Sequence, residues 1–403
     1  MKLPLELMHM VVKNVSKDEL KALRLISQAL HPAATQLLFC RVYASPHLKD
    51  LEVLSAISSH PAIRLAVREV VYVGVYYHHS HNMVWKYVRD SASGPTRETT
   101  PEERSIGHDF SIQRFIEQNY LRETGEDIAI MSLALSRMPN ARQVTLRNYG
   151  NDEVPSFKTI HPFAKPPFVR YAPMPRNMED FDYGLQAICR AISISGAKIE
   201  TFSVDHERGF SGISPTSFLG QPRDIQHYCN AFQHIRKLSF VIHHLSEHRR
   251  KLAKIKLAEI LASATNLEEL EFAMPSQRSS EWTRGIDPIP LTRIFATHTW
   301  PRLRCLTLKD MFPSCDDLVE LLKRHLGTLE RLVLQGLVLL DGTWEDVVNK
   351  LKGTEKPALV SVECKGRFYN YSDVEVTIKT EELEKGILGV EHGEICRKPT
   401  FRF

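Results

Sequence analysis

The amino-terminal part of the chain alternates short apolar stripes with polar punctuation at helical spacing. Leu7, Val11 and Val15 recur every four residues after Pro4, which suits a first helical turn, and the stripe ends near Asn14 to Ser16. Ser16 followed by Glu19 has the spacing of a capping box, so a second helix is expected with Leu20, Leu23 and Ser27 on one face and Ala22, Leu25 and Ile26 on another. A third begins at Pro32 and carries Ala33, Ala34, Leu37, Leu38, Phe39 and Val42, ending near Tyr43. Such helices are apolar on more than one side, and about forty residues enclose too little core to stand alone. Something else must cover the remaining apolar surface.

Beyond residue 50 the pattern changes to short runs with apolar residues at alternate positions, each after a helical stretch. They are centred at Val71, Thr145, Ser203, Ser239, Glu271, Thr307, Val333 and Ser361. From 203 onward the spacings are 36, 32, 36, 26 and 28 residues, each the length of one strand, one helix and two turns. Several runs share a lead-in, as in Asn266 to Leu270, Arg302 to Leu306 and Thr328 to Leu332. One strand–helix unit cannot bury its own apolar face, so neighbours are expected to stack with a parallel sheet inside and helices outside. The expected helices span 179–194, 224–233, 252–263, 289–296 and 315–326, the last with an acidic start at Ser314, Asp316 and Asp317. This pattern resembles irregular leucine-rich repeats.

The amino-terminal residues carry a resemblance of their own. Leu3-Pro4-x-Glu6-Leu7, then Val11, Val15, Asp18, Leu20, Leu23-Arg24, Ser27, Leu30, Leu37, Phe39 and Val42 resemble the F-box pattern of fungal-type F-box proteins. The sequence departs from it at Phe39, where many members have Trp, and at Val11 and Val15 in place of Ile and Leu, all of which keep apolar character. The two resemblances together imply an α/β chain: a three-helix F-box over 1–45, then an irregular leucine-rich-repeat-like solenoid over 46–403. The F-box resemblance implies binding to a Skp-family adaptor and, through it, a cullin, with Leu3, Pro4, Leu7, Val11, Leu20, Leu23, Leu37 and Phe39 in or just behind the interface. For Leu23 and Leu37 the alternative is that they only pack the helices together.

Alternation along the strands decides which side chains leave the core. Leu306 and Leu308 are expected inside, while Arg147, Ser203, Lys237, Ser239, Glu269, Glu271, Cys305, Thr307, Lys309, Arg331, Val333 and Gln335 are expected on the open face. Arg147, Lys237, Glu269, Glu271, Lys309 and Arg331 are therefore the candidate substrate-binding residues. Insertions at 76–108, 149–178, 207–222 and 275–288 each follow a strand and precede a helix, which in a solenoid gathers them on one edge, the usual binding edge of such arrays. Segment 91–105 is polar and nearly free of apolar residues, so disorder is expected there. Val374, Val376 and Ile378 suggest a last capping strand before a basic tail.

Composition narrows the function classes. At 403 residues the chain exceeds one core, and 52 basic against 48 acidic residues select no partner by charge. No apolar run approaches a membrane span, and the seven scattered cysteines lack a C-x-x-C pair, which fits reduced thiols in cytoplasm or nucleus. His78, His79, His81, His243, His244 and His248 lack the carboxylate and cysteine spacing of a metal site. The basic run from Arg249 to Lys256 is more simply the solvated side of a helix than a phosphate contact. No nucleophile elbow, phosphate loop or dinucleotide fingerprint is present, so neither catalysis, cofactor nor metal is expected. The reading is a substrate receptor of a Skp-cullin-F-box ubiquitin ligase holding an unidentified protein. The alternative is a scaffold that binds the adaptor alone.

Overall fold

A computed structural model of the chain describes Met10 and residues 12–74, 87–89, 96–98, 100–147, 179–205, 212–219, 221–242, 256–274, 291–352, 354, 358–365, 369–370 and 380–388. These fall into two compact units, Met1–Ile235 and Arg236–Phe403. The expected boundary at 45/46 lies within the first.

The first unit opens with helices α1 (Lys17–Ile26) and α2 (His31–Leu38). Ser16 and Glu19 close the expected capping box: the Ser16 hydroxyl accepts from the Glu19 amide, and the Glu19 carboxylate accepts from the Ser16 amide. Val12, Leu20, Ala33 and Ala34 form a small buried cluster between the helices, with Val15, Leu23, Leu37 and Leu38 against it. The chain leaves helical geometry at Phe39. Residues Val42 and Tyr43, expected on the third helix, instead belong to strand β1 (Arg41–Ala44).

β1 pairs in parallel with β2 (Glu69–Val73), β2 with β5 (Gln143–Arg147) and β5 with β6 (Thr201–Asp205). Between them run α3 (Leu48–Ser59) and α4 (Ile63–Ala66), a hairpin of β3 (Tyr87–Arg89) and β4 (Thr96–Glu98), α5 (Pro101–Thr124), α6 (Glu126–Arg137) and α7 (Glu179–Ser195); α8 (Pro222–Phe232) follows β6. The wide interval between the strands at 71 and 145 is thus filled by two helices. The disorder expected over 91–105 is overturned at 96–98, which is strand, and from 101, where α5 begins with Pro at its first position. A polar sequence can be helical when its downstream turns supply the buried face, and here Gln118 and Leu121 are buried. Part of the 207–222 insertion also packs inward: the turn Pro215–Phe218 buries Phe218, whose ring lies 6.2 Å from that of Tyr228.

The second unit repeats one module. Strands β7 (Lys237–Val241), β8 (Glu269–Ala273), β9 (Cys305–Lys309), β10 (Arg331–Gln335) and β12 (Ser361–Lys365) are parallel and in register. Leu238, Leu270, Leu306, Leu332 and Val362 form one buried row across them; Phe240, Phe272, Leu308, Leu334 and Cys364 form the next. Helices α9 (Leu257–Ala262), α10 (Leu291–Phe295), α11 (Cys315–His325), α12 (Trp344–Leu351) and α13 (Thr380–Leu388) cover these rows, each packed on the next. β11 (Val338–Leu339) and β13 (Tyr369–Asn370) make a small parallel pair. The expected helices at 252–263, 289–296 and 315–326 correspond to α9, α10 and α11, and Ser314 caps the last through the Asp317 amide. Helix α13 was not anticipated.

The shared lead-in has a physical origin. Leu267, Leu303 and Leu329 are fully buried three residues before the first strand leucine, so one turn of chain is pinned at both ends. The carbonyl before each strand then accepts two successive amides of the next: Arg236 from Glu268 and Glu269, Glu268 from Arg304 and Cys305, Arg304 from Glu330 and Arg331, and Glu330 from Val360 and Ser361. The first unit does the same at Cys40, Arg68 and Arg142.

Candidate interaction surfaces

Among the residues expected at an adaptor interface, Leu3, Pro4, Leu7 and Val11 lie outside the described residues. Leu20 is buried in the cluster between α1 and α2, and Leu23 and Leu37 are half-buried against it. Phe39 is half-buried, with the Arg24 guanidinium 5.2 Å from its ring centre. Sequence spacing did not single out Leu25 and Ile26 as contacts. They sit in the last turn of α1, 85% and 79% exposed, and Met10 is also exposed. The signal was present as the second apolar face of that helix.

On the open face of the first unit's sheet, polar side chains pair with one another. The Arg41 guanidinium donates to one Glu69 oxygen at 2.5 Å; the other accepts from Thr145 Oγ1 at 2.7 Å, and Thr145 shares a hydrogen bond with Ser203 at 2.9 Å. Arg147, a candidate substrate contact, is only 12% exposed through its side chain. It pairs with Asp205 at 2.7 Å and lies 5.9 Å from the Tyr43 ring. Its expected exposure is corrected: a long side chain with an anion beside it on the next strand lies along the sheet instead of standing away from it.

In the second unit, the open face and the residue before each strand carry charges that pair with one another. Lys237 meets Glu269 at 2.8 Å and Lys309 meets Glu271 at 2.5 Å across strands, while Lys365 meets Glu363 at 2.7 Å along β12. One position earlier, Arg236 makes a two-pronged contact with Glu268 at 3.0 and 2.9 Å, and Arg304 reaches Glu330 at 3.7 Å. Arg331 is exposed and stands between Cys305 and Ser361 in register. Val333, expected exposed, is 8% exposed: its short branched side chain sits among Arg331, Gln335, Thr307 and Glu363, which overhang it. The structure therefore places Lys237, Glu269, Glu271, Lys309 and Arg331 together on one sheet, with Arg147 on the sheet of the first unit.

The chemistry elsewhere is that of packing. Cys189, Cys315 and Cys364 are buried free thiols, and burial pushes each thiol up, Cys364 to about 12. A raised thiol is a poor nucleophile. The His325 ring lies 5.5 Å from that of Trp300, with Nε2 accepting from the Trp300 amide at 3.1 Å and Nδ1 beside the Leu321 carbonyl at 2.9 Å. These roles fix the neutral ring with its proton on Nδ1, and burial lowers its pKa. Among the described residues no group of three His, Cys, Asp or Glu converges on one point, and no helix is long and apolar enough to cross a membrane. The histidines at 78, 79, 81, 243, 244 and 248 lie outside the described residues, as does the basic run except Lys256, which is 3.5 Å from Glu259.

No protein-family model and no curated protein matches the chain. Among solved structures, the chain is similar to the leucine-rich repeat-containing protein LegL7 from Legionella pneumophila, at 11% identity over 88% of this chain and 99% of that one, with a TM-score of 0.28. That score is too low for the likeness to carry an argument.

Proposed function

We propose that the chain is a substrate-recognition subunit of a Skp-cullin-F-box ubiquitin ligase, docking on the adaptor through α1 and α2 and holding a protein substrate on its strand–helix repeats. The observation that carries the reading is the solvent exposure of Leu25 and Ile26 on a helix pair whose fully buried core among the described residues is Val12, Leu20, Ala33 and Ala34. Exposing two adjacent large aliphatic side chains costs on the order of 1.5–3 kcal/mol each relative to covering them, and a partner recovers that energy. The F-box resemblance names the partner as a Skp-family adaptor. A receptor of this kind acts by position: holding substrate beside a ubiquitin carrier raises its effective concentration, as any linked pair of binding modules does.

The test is co-purification of the full chain with a Skp-family adaptor and a cullin, comparing wild type with a Leu25→Asp, Ile26→Asp double variant. Both positions face solvent, so the variant should fold and melt like wild type while losing adaptor and cullin together. Adaptor retained without cullin in wild type favours the scaffold. Adaptor absent from wild type sinks the reading.

A further inference from the structure

At the five strands of the second unit and the residue preceding each, six cations meet five anions, and every anion is held by one of the cations in the pairs described above. Arg331 is the cation left over. It is exposed, its neighbours in register are the uncharged Cys305 and Ser361, and the adjacent Glu330 is taken by Arg304.

The geometry points to Arg331 as the anchor for a carboxylate side chain on an acidic segment of a protein partner laid across this sheet. This rests on the reading of the sheet face as the capture surface and specifies its chemistry. A cationic partner finds no unmatched carboxylate on the face and would have to break an existing ion pair. A carboxylate finds a planar five-donor guanidinium with small neighbours, Cys305 and Ser361, that leave both prongs of the fork open and add a hydroxyl donor. The excess is one charge, which a carboxylate neutralises and a phosphate dianion overshoots, since Lys237, Lys309 and Lys365 are already engaged.

The experiment uses the full chain and fluorescence anisotropy with labelled decaglutamate, decaglutamine and a serine-glycine peptide bearing one phosphoserine. Wild type should bind decaglutamate and not decaglutamine. Arg331→Glu should weaken that binding about tenfold or more. Lys256→Glu, the same charge change at the start of α9 and away from the sheet, should leave it within about twofold. Equal binding by wild type and Arg331→Glu overturns the proposal, as does a wild type that ignores decaglutamate or prefers the phosphoserine peptide. Adaptor co-purification on the same preparations keeps the two readings separate: adaptor lost with decaglutamate binding intact removes only the ligase reading, and the reverse removes only this one.

Discussion

Asp127 illustrates how one residue can work against stability while the fold holds it. It sits in the first turn of α6 with no solvent exposure; its Oδ1 accepts from the Ile128 amide at 2.8 Å and from the Tyr183 hydroxyl at 3.0 Å. Its Oδ2 is buried with no hydrogen-bond partner, and burial lifts the carboxyl to about 6, with the hydrogen bonds from the Ile128 amide and the Tyr183 hydroxyl, and less so Arg190, only partly opposing the shift. A carboxyl raised from 3.8 in the unfolded chain to about 6 when folded binds its proton more tightly in the folded state. The penalty is therefore absent below the unfolded pKa, grows between the two values, and is complete above about 6. Its size above that point is about 3 kcal/mol. Asp127→Asn keeps an oxygen for both donors and carries no charge, so it should raise the free energy of unfolding of this unit by up to that amount at pH 7.5, and by only about 1 kcal/mol at pH 4.5. Urea titrations at the two pH values measure the difference, and an advantage that does not grow with pH would show that burial of the charge is not its source.

The terminal helix raises a question of sign. Glycine in a helix interior ordinarily weakens it, so Gly386→Ala on α13 should be favourable by about 1 kcal/mol in an isolated helix. Here a Cβ at Gly386 would lie 2.7 Å from Val348 Cγ1 and 2.9 Å from Cγ2 on α12, so the helices approach more closely than any side chain permits. Val348 is itself buried, and the neighbour is a branched side chain without a flexible end. The substitution should therefore destabilise the α12–α13 contact by roughly 1–3 kcal/mol. α13 also secures the last strand of the sheet, because Glu384 accepts the Cys364 amide at 2.7 Å. Loosening the helix uncovers the Cys364 thiol, so labelling by a thiol reagent should accelerate severalfold in Gly386→Ala. Unchanged labelling would mean that α13 does not guard that edge. The one signal for this helix was the four-residue spacing of Leu383 and Ile387, a single pair following the alternating Val374, Val376 and Ile378 that were expected to form a strand.

Across the whole chain, the repeat was legible because it is written twice, in the alternation of each strand and in the buried residue three positions before it. The strands centred near 145, 203, 239, 271, 307 and 333 satisfy both signals, while the one near 361 has the alternation but is preceded by the half-buried Leu359. β1 satisfies neither clearly: four residues directly after a helix, with Phe39 and Val42 continuing a three-residue apolar spacing, read as more helix until the pairing with β2 is seen. The candidate surfaces were legible to the same degree. Alternation placed Lys237, Glu269, Glu271, Lys309 and Arg331 on one face, but the pairing that leaves Arg331 over depends on register, which spacing alone does not supply. If the lead-in residue is what joins one module to the next, its removal should be felt beyond its own module. Leu303 is fully buried, and Leu303→Ala should cost about 2–5 kcal/mol as a cavity. In a stack where each repeat is stabilised chiefly by its neighbours, that loss spreads to the strands on either side before it reaches the ends. Hydrogen exchange should therefore show protection falling most in β9, then in β8 and β10, and least in β7 and β12. A uniform loss across all five strands would instead mean that the second unit unfolds as one cooperative body, with the lead-in leucines serving as ordinary core.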